Sequence, residues 1–174
     1  APRTADTLLA RFAAATPTTL MDADDWWRDG WSGLPAQRNE RDQRRRWPLD
    51  VQVAGSLDPL RERLQAHGWH VQPQADWIAT LGLLDDDAAA SDQPVLPATL
   101  DAQAETLLMV HPGGSDNEEF VLRLWRAPVR LDDGTPLWIG TSQTLRLNKP
   151  LAVASLWLPV SDDGRAHALV REAL

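Results

Sequence analysis

The chain of 174 residues contains no cysteine, no tyrosine and one lysine, Lys149. Without cysteine there is no disulfide framework, thiolate metal site or cysteine nucleophile, and redox compartment cannot be read from pairing. No apolar run approaches the roughly 20 residues that a spanning helix needs, and no charged start followed by an apolar stretch reads as a signal peptide. Basic residues are also in short supply, 17 against 25 acidic, for a formal charge of -8. Such a field repels phosphate backbones, so nucleic acid is not an expected partner. The chain begins at Ala1 rather than methionine, as expected of a piece of a longer chain or a processed product. Arginine in place of lysine, with abundant alanine and leucine, fits a GC-rich bacterial genome.

What is present is enough for one folded domain. Hydrophobic residues make up 43% and charged residues 24%, a balance far from the disordered class. Leu8, Leu9 and Phe12 recur at helical spacing after Thr4 and Asp6, until Thr16-Pro17, so residues 1–20 are expected to hold a lead-in helix. Residues 21–48 form a tryptophan- and arginine-rich segment that no single period fits. Residues 49–84 read as β-α-β-α. Val51 and Val53 alternate, Ser56-Leu57-Asp58-Pro59 opens a helix, Gly68 ends it, Trp69 and Val71 start a second strand, and Trp77, Ile78 and Leu81 mark another helix. Residues 85–97 read as a loop. Residues 105–160 are strand-dominated, with Asp132-Asp133-Gly134-Thr135 as a hairpin turn, and residues 165–174 as a terminal helix. The expected class is a single α+β domain: a mainly antiparallel sheet with an N-terminal helix and a compact β-α-β unit.

The chemistry-bearing residues are few. His67 and His70 flank a helix end, where histidine suits the dipole better than it forms half of a metal site. His111 and Ser115 share a glycine turn with Asp116, which makes a small hydrolase conceivable. The serine, however, lacks the strand-to-helix setting of a nucleophile elbow. His167 is expected to face solvent. The paired carboxylates at Asp24-Asp25, Asp85 to Asp87, Glu118-Glu119, Asp132-Asp133 and Asp162-Asp163 fit solvated turns better than a facing acid and base. No phosphate-binding loop, dinucleotide fingerprint, calcium loop or zinc helix is present. No catalytic residue, metal ligand or cofactor site is therefore assigned.

Nine tryptophans remain to be placed. Trp125, Trp138 and Trp157 are expected in the cores of neighbouring strands. On a helix, Trp27 and Trp31 would share a packing face and leave Trp26 free. Exposed indoles stack on sugars or sit at bilayer interfaces, so a carbohydrate- or ligand-binding module stays open. Arg38, Arg41, Arg44, Arg45 and Arg46, closing on Trp47, have the forks that bind phosphate or a lipid headgroup, although self-pairing with Glu40 and Asp42 also accounts for them. The candidate binding set is Trp26, Trp27, Trp31, Arg38, Arg41, Arg44, Arg45 and Arg46.

The runs Trp26-Trp27-Arg28-Asp29-Gly30-Trp31, Leu34-Pro35-Ala36-Gln37-Arg38, Pro48-Leu49, Val53-Ala54-Gly55-Ser56-Leu57 and Gly68-Trp69 resemble the LssY-like C-terminal domain. So do Pro94-Val95-Leu96-Pro97, Val121-Leu122-Arg123-Leu124-Trp125 and Pro136-Leu137-Trp138-Ile139-Gly140, and the resemblance covers residues 1–174 nearly throughout. Two loops depart from that pattern. Arg44-Arg45-Arg46 stands where acidic residues are expected, and Asp101 to Glu105 where a glycine-arginine pair is expected. The resemblance implies a soluble domain found with DedA-type and type 2 phosphatidic-acid phosphatase membrane proteins. It implies a noncatalytic accessory or regulatory role, on the cytoplasmic face of the bacterial inner membrane, with that membrane protein and lipid headgroups as partners. The phosphatase's own signature blocks are absent from these residues, so any phosphatase activity would reside in a separate membrane region.

Overall fold

The runs richest in valine, isoleucine, leucine and tryptophan form two long strands that organise everything else. In the computed structural model, which describes residues 18–39, 46–72, 95–96, 98–100, 103–148, 156–160 and 164–174, β9 (Glu118–Leu131) and β10 (Pro136–Asn148) pair as an antiparallel hairpin. Asp132-Asp133-Gly134-Thr135 makes the turn. Gly134 takes φ 86°, a conformation that favours glycine, and the Asp133 carboxylate accepts the Thr135 N–H at 2.8 Å. That bond holds the Asp133 carboxyl below its ordinary range.

Strands add on both sides of the hairpin. β8 (Leu107–Pro112) pairs antiparallel with β9, and the short β5 (His70–Val71) pairs with β8. On the far edge of β10, β4 (Val51–Ala54) pairs with residues 137–140 and β11 (Leu156–Pro159) with residues 145–148. β1 (Thr19–Met21) runs parallel to the end of β9, completing a seven-stranded sheet whose other pairings are antiparallel. Two small ribbons stand apart: β2 (Gln37–Asn39) with β3 (Arg46–Pro48), and β6 (Thr99–Leu100) with β7 (Gln103–Ala104).

This corrects the α+β expectation. The described chain opens on strand β1, and its three helices are short: α1 (Ala23–Arg28), α2 (Leu57–Ala66) and α3 (Arg165–Glu172). The expected compact β-α-β unit does not form, because β4 and β5 lie on opposite sides of β10, β9 and β8. The physical reason is pairing: β4 hydrogen-bonds to the outer edge of β10 while β5 hydrogen-bonds to β8, so the chain between them crosses the sheet instead of returning to a neighbouring strand. The lead-in helix expected over residues 1–20 falls mostly on residues outside those described, as does the helix expected over residues 75–84.

Alternation along β9 and β10 divides the core between two faces. Phe120, Leu122 and Leu124 pack with Leu60 and Leu64 of α2, Ala166 and Val170 of α3, and the buried Trp69. The opposite face holds Val121, Leu108, Leu145 and Trp157, together with a second group containing Trp26, Leu34, Leu49, Trp125 and Ile139. At Gly140 the β9 backbone leaves no room for a side chain: a Cβ there would collide with the Arg123 carbonyl oxygen. No helix among the described residues is long and apolar enough to cross a membrane.

Candidate functional site

The tryptophan-rich segment becomes a short arch over one end of the sheet. Asp22 caps α1, its Oδ1 accepting the N–H groups of Asp24 at 2.8 Å and Asp25 at 3.1 Å. Ala23 and Trp26, three residues apart, form the inward side and pack on the Trp125 group. After Arg28 the chain tightens into a 3₁₀ turn, Gly30–Gly33, and the α-helical spacing is lost. Trp26 is therefore 3% exposed, while Trp27 and Trp31 are 69% and 51% exposed. This reverses the expected assignment, in which Trp27 and Trp31 packed inward and Trp26 stood free.

The arch is held firmly. Met21 of β1 lies beneath Gly30, where a Cβ would stand 2.6 Å from its sulfur, and the Ala23 N–H is accepted by Asp132 in the hairpin turn at 3.2 Å. The Trp31 carbonyl accepts from Gln52 Nε2 at 3.0 Å, and Leu20, next to Met21, is 70% exposed. Arg28, whose guanidinium sits 2.8 Å from Asp25, is the only cation between Asp22 and Trp31, against four aspartates. The arginines expected to share this surface lie further on. Arg38 is on β2 opposite Trp47 of β3, Arg46 is on β3 opposite Asn39, and Arg41, Arg44 and Arg45 fall outside the described residues.

The remaining described tryptophans lie in or against the sheet, and Trp77 falls outside the described residues. Trp125 and Trp157 are buried as expected. Trp138 is half-buried, donates from Nε1 to the Gly55 carbonyl at 2.8 Å and carries Arg126 over its ring. Trp69, not singled out as core from sequence, is 1% exposed.

The structure does not join His111 to Ser115. His111 Nδ1 lies 2.6 Å from the carbonyl of Pro112, and the ring packs between Trp69 and Phe120. The Ser115 hydroxyl donates instead to Asn117 at 2.8 Å. His67 sits at the end of α2 with Nδ1 against the Arg63 carbonyl at 2.8 Å, as a helix-capping histidine does.

Sequence reasoning missed a polar cluster beneath α3. Asp50 stands at the break between β4 and β11 on the edge of β10, where its Oδ1 accepts the Ser142 N–H at 2.8 Å. Its Oδ2 accepts the Ser142 hydroxyl and lies 3.0 Å from His167 Nδ1. Serine, histidine and aspartate thus meet, but in the wrong order for nucleophilic catalysis, which needs the serine on Nε2 and the acid on Nδ1. Ser142 is also fully buried. The aspartate substitutes for a missing strand partner and ties α3 to the sheet. A second tie is Glu118, which accepts both arms of Arg165 at 2.9 and 2.8 Å. Arg165, then the Gly114 N–H, hold the Glu118 carboxyl below its ordinary range. Its neighbour Glu119, half-buried, is pushed up to about 7 by burial. These partners are 92, 117 and 47 residues apart, so no local pattern announces them.

On the opposite face Arg123 and Glu105 make a buried ion pair at 3.0 Å. Arg123 also donates to the Leu96 carbonyl, and Glu105 accepts the Ala98 N–H, each at 2.8 Å. The pair fastens Leu96, Ala98 and Glu105 to the sheet. Among the described residues no group of three or more metal-ligating side chains gathers.

A protein-family model described as LssY C-terminus matches residues 31–147. Neither the curated proteins nor the solved structures gave a match.

Proposed function

Because the chain belongs to the LssY C-terminus family, we propose that it is a noncatalytic accessory domain of a bacterial membrane protein related to lipid phosphatases. In this reading it works on the cytoplasmic face of the inner membrane and docks on its partner through Trp27 and Trp31. One observation carries the reading. The fold buries Trp26, Trp69, Trp125 and Trp157, yet leaves two indoles on an anchored arch 69% and 51% exposed. Indole surface of that extent on a rigid support is the composition of an interface centre, where tryptophan anchors supply most of the binding energy. The family resemblance supports the kind of partner, a DedA-type or type 2 phosphatidic-acid phosphatase membrane protein, with any phosphatase chemistry belonging to that partner.

Coprecipitation with the detergent-solubilised membrane protein tests the proposal. The wild-type domain is expected to co-purify, and the W27A/W31A variant to lose at least about tenfold in retained partner. Equal retention of both would overturn it. The lipid-headgroup contact expected of the arginine segment is tested separately by flotation with liposomes, in which headgroup binding requires the domain to rise with phosphatidic-acid vesicles.

A further inference from the structure

The surroundings of the exposed indoles specify more than an apolar contact. From Asp22 to Trp31 the arch carries four aspartates and one arginine, and that arginine is neutralised on Asp25. Asp22 spends its carboxylate capping α1. Asp24 and Asp29 are exposed and form no ion pair or cap among the described residues. Along the described arch the two indoles are therefore flanked by net negative charge, within a chain whose formal charge is -8.

An anionic bilayer surface is repelled by such a face. A lysine or arginine is attracted twice, by the carboxylates and by the indole ring, whose face draws a cation. Apolar side chains interleaved with those cations would cover the remaining ring area. We infer that the Trp27–Trp31 face takes a basic and apolar protein segment, and not a lipid surface. This rests on the accessory-domain reading above and sharpens it. Cytoplasmic loops of membrane proteins carry an excess of lysine and arginine close to their spanning helices, so a juxtamembrane loop has the required chemistry.

The test titrates the full chain with a synthetic leucine/lysine amphipathic peptide, its leucine/glutamate counterpart, and vesicles of zwitterionic or phosphatidylglycerol-containing lipid. Binding of the leucine/lysine peptide is expected, weakening as salt is raised. It should fall about tenfold in W27A/W31A and severalfold in D24N/D29N, with thermal unfolding of both variants unchanged to show that the fold survives. The glutamate peptide should not bind, and any vesicle binding through the arginine segment should be unchanged in W27A/W31A. Equal affinity for the two peptides, undiminished binding by the variants, or vesicle binding that W27A/W31A abolishes would overturn the inference. If the domain still co-purifies with its membrane partner through Trp27 and Trp31 while ignoring the leucine/lysine peptide, the partner chemistry is wrong and the docking face stands. If co-purification also fails, the docking reading falls with it.

Discussion

Trp26 and Trp27 are adjacent in the chain, and their environments predict opposite responses to truncation. W26A empties a site that is 97% buried against Trp125 and Leu34, and its expected cost is about 3–5 kcal/mol in chemical denaturation. W27A removes a side chain that is mostly in water, and stability should stay within about 0.5 kcal/mol. The run of tryptophans was legible as a special segment from sequence. Which indole faces inward was not, because a four-residue spacing has meaning only while the α-helix continues, and here it ends at Arg28. Glu119 gives a second prediction at this scale. Its carboxyl titrates near 7 in the folded protein against an ordinary 4.5, so the folded state holds its proton more tightly. Stability associated with that proton is complete below about pH 4.5 and is lost as pH rises through 7. E119Q should therefore be more stable than wild type in chemical denaturation at pH 8, by roughly 1–2 kcal/mol after allowance for residual solvent, and gain little at pH 4.

Among the elements, α3 depends most visibly on polar ties. Its inward side buries only the small or medium side chains of Ala166, Val170 and Ala173, with Leu169 partly buried beside them, and Gly164 supplies no side-chain cap. The Glu118–Arg165 and Asp50–His167 contacts therefore bear much of its attachment. D50A leaves the Ser142 N–H and hydroxyl without their acceptor, at an expected cost of about 1–3 kcal/mol. Amide hydrogen exchange should accelerate across residues 165–172 in that variant before the β9–β10 hairpin is affected; unchanged exchange in α3 would remove the tie from the account. The strands themselves were readable from their apolar composition, and the hairpin turn at residues 132–135 lies where it was expected. Their partners were not readable. Asp50 lies beside Ser142 only because β4 stops where it does along β10, a consequence of sheet pairing that no window of sequence contains. The β-α-β expectation failed for the same reason, since helical crossover and strand order are separate facts.

At the scale of the whole molecule, one long hairpin divides the structure into a helix-covered face and a face pinned by the Arg123–Glu105 pair. R123A removes the cation beside a carboxylate that is 1% exposed, and a loss of about 3–5 kcal/mol is expected in equilibrium unfolding. The family is legible in the chain's own motifs, and the matched residues, 31–147, run from the exposed Trp31 to the end of the hairpin. The exposed indole face is legible only in three dimensions, because composition alone cannot separate two exposed indoles from the buried ones. The central claim is that this face meets a membrane protein. Site-specific photocrosslinking within bacterial membranes addresses it directly, with the crosslinker placed at position 27 in one variant and at the exposed Glu62 of α2 in another. Crosslinks to a DedA-type or type 2 phosphatidic-acid phosphatase membrane protein, identified by mass spectrometry, are expected from position 27 and not from position 62. Absence of that adduct from position 27, or equal adducts from both positions, would contradict the account.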